Sequence, residues 1–192
     1  QLPRKINVFL IGDSTMANNN NENAVGWGVM VPRYFDTTRV NIVNKARGGR
    51  SSRTFDYEGL WDKTKAEIKS GDFVIIQFGH NDAGKIDTEK FRGSINGIGD
   101  ETRMVNRADS IMETVHTYGW YMKKYIREAR EKGATPIVLT PVARNYPWKE
   151  GKLNNVHGDY PQAAIDVAKE LNVKYIDLND LSMNFFSSKG QD

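Results

Sequence analysis

The sequence predicts an α/β protein, a three-layer α/β/α sandwich built around a parallel sheet. Three observations predict it. Short β-branched apolar runs alternate with helical stretches along the chain, and strands separated by helices pair in parallel through right-handed crossovers. The longest apolar runs, Val8 to Ile11 and Phe73 to Ile76, are strand-sized, far below the roughly 20 residues that span a bilayer. A chain of 192 residues with no internal repeat or linker fits one domain, residues 1–192, with a real core.

The elements follow in order. Ile6 to Ile11 reads as a buried strand, and Gly12 to Ala17 leaves it. Val40 to Val43 is a second, shorter strand. Leu60 to Lys69 is a helix closed by Ser70-Gly71, and Asp72 to Phe78 is a strand of strong β character. Tyr118 to Lys132 places Tyr118, Tyr121, Met122, Tyr125, Ile126 and Ala129 at helical spacing before a Gly133 stop. Thr135 to Thr140 is the next strand, with Pro136 near its start where proline is tolerated. Tyr160 to Leu171 is a helix and Val173 to Leu178 a strand. Two segments interrupt the alternation: the Asn-rich stretch Asn18 to Asn23, and the long polar insertion Gly84 to Asn106 with its four glycines. Loops that long form either substrate walls or plain surface excursions.

Composition narrows the function classes. With 39% hydrophobic and 27% charged residues the chain is an ordinary globular one, and no membrane partner is expected. Zero cysteines exclude disulfides and thiolate chemistry. The 27 basic and 24 acidic residues are dispersed and leave only +3, which argues against nucleic acid as a partner.

In open parallel sheets chemistry sits beyond the carboxyl ends of the strands, and three short segments fall there. Gly12-Asp13-Ser14 follows the first strand. Its glycine permits a tight exit, and a serine opening the next helix presents its hydroxyl beside backbone N–H groups that can hold an anion. A helix cap would use a serine in the same place. Gly48-Gly49-Arg50-Ser51-Ser52 follows the second strand, where paired glycines give either close backbone approach to a ligand or an ordinary turn. Phe78-Gly79-His80-Asn81-Asp82 ends the third strand, where an Asn amide can donate to an oxyanion, worth roughly 3–4 kcal/mol in a comparable case. His80 and Asp82 read as scaffolding of that loop.

Taken together, these segments resemble the SGNH (GDSL-like) hydrolases, and within them the rhamnogalacturonan acetylesterases. Gly-Asp-Ser-Thr-Met-Ala at 12–17, Gly-Gly-Arg-Ser-Ser-Arg at 48–53 and Phe-Gly-His-Asn-Asp at 78–82 are similar to that group's first three blocks. Tyr118-Gly119-Trp120-Tyr121, Lys132-Gly133-Ala134-Thr135-Pro136-Ile137 and Ile176-Asp177-Leu178 resemble it too, so the likeness runs from about Ile6 to Leu178. The resemblance implies a flavodoxin-like sandwich and an acyl-enzyme route with no cofactor or metal. It implies Ser14 as nucleophile, and an oxyanion hole made by the Ser14 and Gly49 N–H groups and the Asn81 amide.

The family's base stands in an Asp-x-x-His block after the fifth strand, and this chain ends at Asp192 without one. We therefore expect the chain to be the N-terminal part of a longer one, to lack its last helix and to have little activity by itself. Of its three histidines, His80 lies in the oxyanion block and His116 precedes a helix. His157 has Asp159 nearby but stands before the fifth strand and reads as the lead into a helix.

The resemblance implies an acetylated pectic oligo- or polysaccharide as substrate, and hence a secreted or periplasmic setting. Trp27, Trp61, Trp120 and Trp148 offer faces for sugar stacking. Arg50, Arg53 and Arg144 could meet galacturonate carboxylates, Arg144 being best placed and Arg50 the second choice. Two other readings stay open: a general short-acyl esterase of the same fold, and a carbohydrate-binding pseudoenzyme without turnover.

Overall fold

A computed structural model describes residues 4–18, 25–88, 90–108 and 110–191. The strands are β1 (Ile6–Gly12), β2 (Val40–Asn44), β3 (Phe73–Gln77), β4 (Thr102–Asn106), β5 (Met112–His116), β6 (Thr135–Leu139), β7 (Trp148–Lys149), β8 (Lys152–Leu153) and β9 (Lys174–Ile176). The helices are α1 (Ser52–Tyr57), α2 (Leu60–Glu67), α3 (Tyr118–Glu131), α4 (Tyr160–Glu170) and α5 (Leu178–Lys189). Five strands form the central sheet in the order β2-β1-β3-β6-β9, and all its pairings are parallel. That is the flavodoxin-like order of a doubly wound sheet.

Period-two alternation divides the sheet's side chains between two faces. Phe9, Ile11, Val74, Ile76 and Val138 face the main core, which α1 to α4 close with Phe55, Trp61, Tyr118, Tyr125, Ala164 and Val167. Phe55, Phe78, Trp61 and Tyr125 pack there as tilted or edge-on aromatic rings with centroids 5.0 to 6.3 Å apart, geometries that favour the ring quadrupoles. The opposite face is thinner. Val8, Leu10 and Met16 are covered there by Trp27 and Val31 of two short 3-10 turns. Further along it Ile6, Phe35, Phe73, Ile75 and Ile137 line an open apolar trough of about 220 Å³.

Every predicted sheet strand and helix forms, within one to three residues at its ends. The differences are additions. Asp177 caps α5 by accepting the Asp180 N–H at 3.2 Å, so a helix does follow the last strand where the sequence suggested none. It adds no residue to the apolar cluster on the thin face. The polar insertion after β3 ends in the antiparallel hairpin β4-β5. Ser51 and Thr54 form a capping box that starts the unforeseen α1. Of the Asn-rich stretch, residues 19–23 lie outside the described ones. No helix among the described residues is long and apolar enough to cross a membrane.

Candidate active site

Adjacent strands carry the three predicted segments to one edge of the sheet. Gly12 pairs with Gln77 across β1-β3, Leu10 with Asn44 across β1-β2, and Gln77 with Leu139 across β3-β6. The carboxyl ends of β2, β1, β3 and β6 therefore stand side by side, leading to Gly49, Ser14, Asn81 and Arg144 in that order.

The turn after β1 is built by Asp13. Its Oδ1 accepts the Thr15 N–H at 2.9 Å and the Thr15 hydroxyl at 2.7 Å, while its carbonyl accepts from the Met16 and Ala17 N–H groups. Asp13 is wholly buried and its Oδ2 has no hydrogen-bond partner. Burial pushes this carboxyl up to about 6, against the Thr15 hydrogen bonds and the charge of Arg144. A Cβ at Gly12 would lie 2.6 Å from the Gln77 carbonyl, so only glycine fits the exit. The turn is clamped from both neighbouring strands. Gln77 donates to the Thr15 hydroxyl at 2.6 Å and accepts the Trp27 indole N–H at 2.8 Å, and the Asn44 amide donates to the Met16 carbonyl at 2.8 Å. No helix opens at Ser14. The residue sits exposed in a turn, so the helix-cap reading does not apply.

Gly49 adopts φ +75°, a left-handed conformation. The Asn81 side-chain amide donates to the carbonyl of the next residue, Arg50, at 2.8 Å. One amide hydrogen thus fixes the Gly49 loop against β3, and the second is left to donate elsewhere. Asp82 fastens the same two segments beneath them. It accepts from the Ser52 N–H, the Ser52 hydroxyl and the Ser94 hydroxyl, and complete burial pushes its carboxyl up to about 6 despite those bonds. Gly49→Ala should therefore do two things. A left-handed alanine costs about 1–2 kcal/mol, and its Cβ would meet the Arg92 guanidinium at 2.9 Å. We expect that loss in urea unfolding, with a 10- to 100-fold fall in kcat/KM if the Gly49 N–H is the oxyanion donor that the resemblance implies.

The arginines separate by environment. Arg50 is held by Glu58 at 2.8–2.9 Å and by the Gly48 carbonyl at 3.0 Å. Arg53 is 0% exposed; it grips Glu113 through two bonds of 2.6 and 2.8 Å and donates to the Ile86 and Gly93 carbonyls. It is a fastening inside the protein, not a substrate contact. Arg144 is half-buried at the end of β6, with one nitrogen on the His80 carbonyl at 3.0 Å and another on the Tyr146 hydroxyl. Among the tryptophans, Trp61 is a core residue, Trp27 buttresses the Ser14 turn and Trp120 stacks on His116 at 3.7 Å. Trp148 is half-buried, its indole N–H on Asn145.

Sequence order hid one association: His80 and His157 meet edge-to-face at 4.5 Å beside Arg144. His157 is 2% exposed and its Nε2 has no hydrogen-bond partner among the described residues. Burial, with His80 and Arg144 adding their charge, lowers it to about 3, and His80 falls to about 4 through burial and Arg144. Neither suits a general base near neutral pH. The sign of the pH effect follows. A histidine held below its ordinary 6.5 withdraws stability as pH falls, because only the unfolded chain takes the proton. Asp13 and Asp82, held above their ordinary 3.8, add stability over roughly the same fall from pH 6 to 4. His157→Gln removes one of the opposing contributions. Its stability at pH 4.5 relative to pH 7 should rise by about 2–3 kcal/mol over the parent in paired urea titrations; an unchanged difference would contradict the burial argument.

An open cleft of about 780 Å³ runs from His80 and Asn81 along the loop Gly84–Arg92, within the size range of ligand sites. Residues 10–189 match the GDSL-like Lipase/Acylhydrolase family. Among curated relatives, the Bacillus subtilis protein named probable rhamnogalacturonan acetylesterase YesY is 36% identical over 96% of this chain and 76% of its own. The Emericella nidulans rhamnogalacturonan acetylesterase is 32% identical over 96% of this chain and 72% of its own. Among solved structures, Bacillus subtilis YxiM superposes with a TM-score of 0.76 at 27% identity, covering 98% of this chain and 48% of that one. A mutant of Axe2, an acetylxylan esterase from Geobacillus stearothermophilus, shares the fold with a TM-score of 0.61 at 16% identity, over 94% and 79% of the two chains. With nearly its whole length matched, and with the predicted segments gathered at one sheet edge, this chain belongs to the GDSL-like lipase/acylhydrolase family.

Proposed function

We propose that the protein is a carbohydrate acetylesterase that removes O-acetyl groups from acetylated rhamnogalacturonan through an acetyl-Ser14 intermediate. The observation that carries this reading is the alignment of Gly49, Ser14 and Asn81 on three neighbouring strand ends. Two relatives at 32–36% identity with rhamnogalacturonan acetylesterase in their names support the substrate class. In this mechanism the Ser14 hydroxyl gives its proton to a general base as its oxygen bonds to the acetyl carbon. The carbonyl oxygen takes up the negative charge and accepts from the Ser14 and Gly49 N–H groups and the free Asn81 amide hydrogen. The sugar oxygen then leaves with a proton, and water releases acetate from Ser14 by the same path. A polymeric substrate places the encounter outside the cytoplasm.

Acetate release from acetylated rhamnogalacturonan by the protein tests the proposal. Release from the polysaccharide supports it. Release from p-nitrophenyl acetate alone favours a general short-acyl esterase, and oligosaccharide binding without any release favours a carbohydrate-binding protein.

A further inference from the structure

We infer that the loop Gly84–Arg92 forms a carboxylate-binding subsite for the uronic acid residues of the substrate, an inference that rests on the polysaccharide reading above. The cleft it lines carries Lys85, Lys90 and Arg92, and none of the three has a hydrogen-bonded or ion-paired acid among the described residues. The one acid described on its lining, Asp87, is already paired with Arg103 at 2.9 Å. Three cations facing one cleft with no paired acid among the described residues repel one another, and an anionic ligand relieves that repulsion.

Described residues of the wall are tied to the body of the protein. Its ends are tied by the Gly93 N–H to the Lys85 carbonyl at 3.3 Å, and its base by Phe91, buried in a small cluster with Val105 and Val115. Arg53 pins it from inside through the Ile86 and Gly93 carbonyls. Binding therefore orders few new groups, which favours affinity. Position ties the wall to the reaction. The Arg92 guanidinium stands over Gly49, where a Cβ would come within 2.9 Å of Nη2, and Asn81 lines the same cleft. A carboxylate on Arg92 thus lies beside the proposed oxyanion hole, on a planar fork suited to two parallel bonds. Lys85 and Lys90 line the same cleft.

Calorimetric titration with a deacetylated rhamnogalacturonan oligosaccharide and with its carboxyl-methylated form tests this without requiring turnover. The expected result is at least tenfold tighter binding of the free acid, a preference that weakens with added salt. The Lys85→Gln/Arg92→Gln protein should lose the preference, while Lys63→Gln, an exposed charge on α2, retains it. Equal binding of acid and ester by the parent, or an undiminished preference in the double variant with an unchanged melting temperature, would overturn the inference. Acid-selective binding by a full-length protein that releases no acetate would sink the esterase reading and leave the subsite standing. Acetate release with equal binding of both forms would do the reverse.

Discussion

Ser14→Ala should lower kcat for acetate release on the order of 10⁴- to 10⁶-fold, the range seen when a catalytic-triad residue is removed from a serine hydrolase, with KM little changed. The physical basis is that the hydroxyl oxygen forms the bond that breaks the ester, while the proposed substrate contacts lie elsewhere, in the cleft lined by Lys85, Lys90 and Arg92. What remains after its removal is stabilisation by the hole alone. The variant should fold normally. Ser14 is exposed, and the turn is held by Asp13, Gln77 and Asn44, so the melting temperature should move little. Kinetics with acetylated rhamnogalacturonan and a thermal melt on the same preparation check both halves. Undiminished turnover would remove Ser14 from the mechanism; turnover lost together with the fold would make it a structural residue.

Arg53→Met should cost about 3–5 kcal/mol in stability, the range for breaking a buried ion pair from one side. The guanidinium is fully buried, and its loss takes the described donor from the Ile86 and Gly93 carbonyls and leaves Glu113, 7% exposed, with Arg107 at 2.8 Å as its one cation among the described residues. The penalty comes from the carboxylate left with half its partners, and from the two carbonyls that lose their donor, more than from the lost attraction. Arg53→Met/Glu113→Leu should therefore recover part of the stability, because the fully buried pair leaves the interior together, with the recovery limited by Arg107 losing Glu113. Urea unfolding of the parent, the two single variants and the double variant measures the coupling. A loss below about 1 kcal/mol in Arg53→Met would mean that the network is solvated. The single variant should also loosen the cleft wall, raising KM for the polysaccharide.

The sheet was legible because buried parallel strands leave unbroken apolar runs: Val8 to Ile11 and Phe73 to Ile76 became neighbours in β1 and β3. The three site segments were legible for a related reason. Their unusual residues, Gly12, Gly49 and Asn81, stand where a strand must end and a backbone must approach closely. Less legible was everything set by long-range pairing. Arg53 reads as a candidate partner for a galacturonate carboxylate until β5 brings Glu113 against it, 60 positions away. Asn81 reads as a donor to substrate, and the structure adds its bond to the Arg50 carbonyl. His80 and His157 are 77 positions apart in the chain, and only the strand order puts their rings in contact. The cations of the Gly84–Arg92 loop were visible as letters in a polar insertion. That none of them pairs with an acid among the described residues was visible only once their neighbours were known.

The central claim is that Ser14 is the nucleophile of a hole completed by Gly49 and Asn81, and covalent trapping tests it most directly. A fluorophosphonate probe applied to the full-length protein, followed by peptide mass spectrometry, should mark one serine, Ser14. The mark should vanish in Ser14→Ala and form at least tenfold more slowly in Asn81→Ala, since losing one oxyanion donor costs about 10²–10³ in rate in a comparable case. Phosphonylation of a different serine, or equal labelling of the parent and Ser14→Ala, would contradict it.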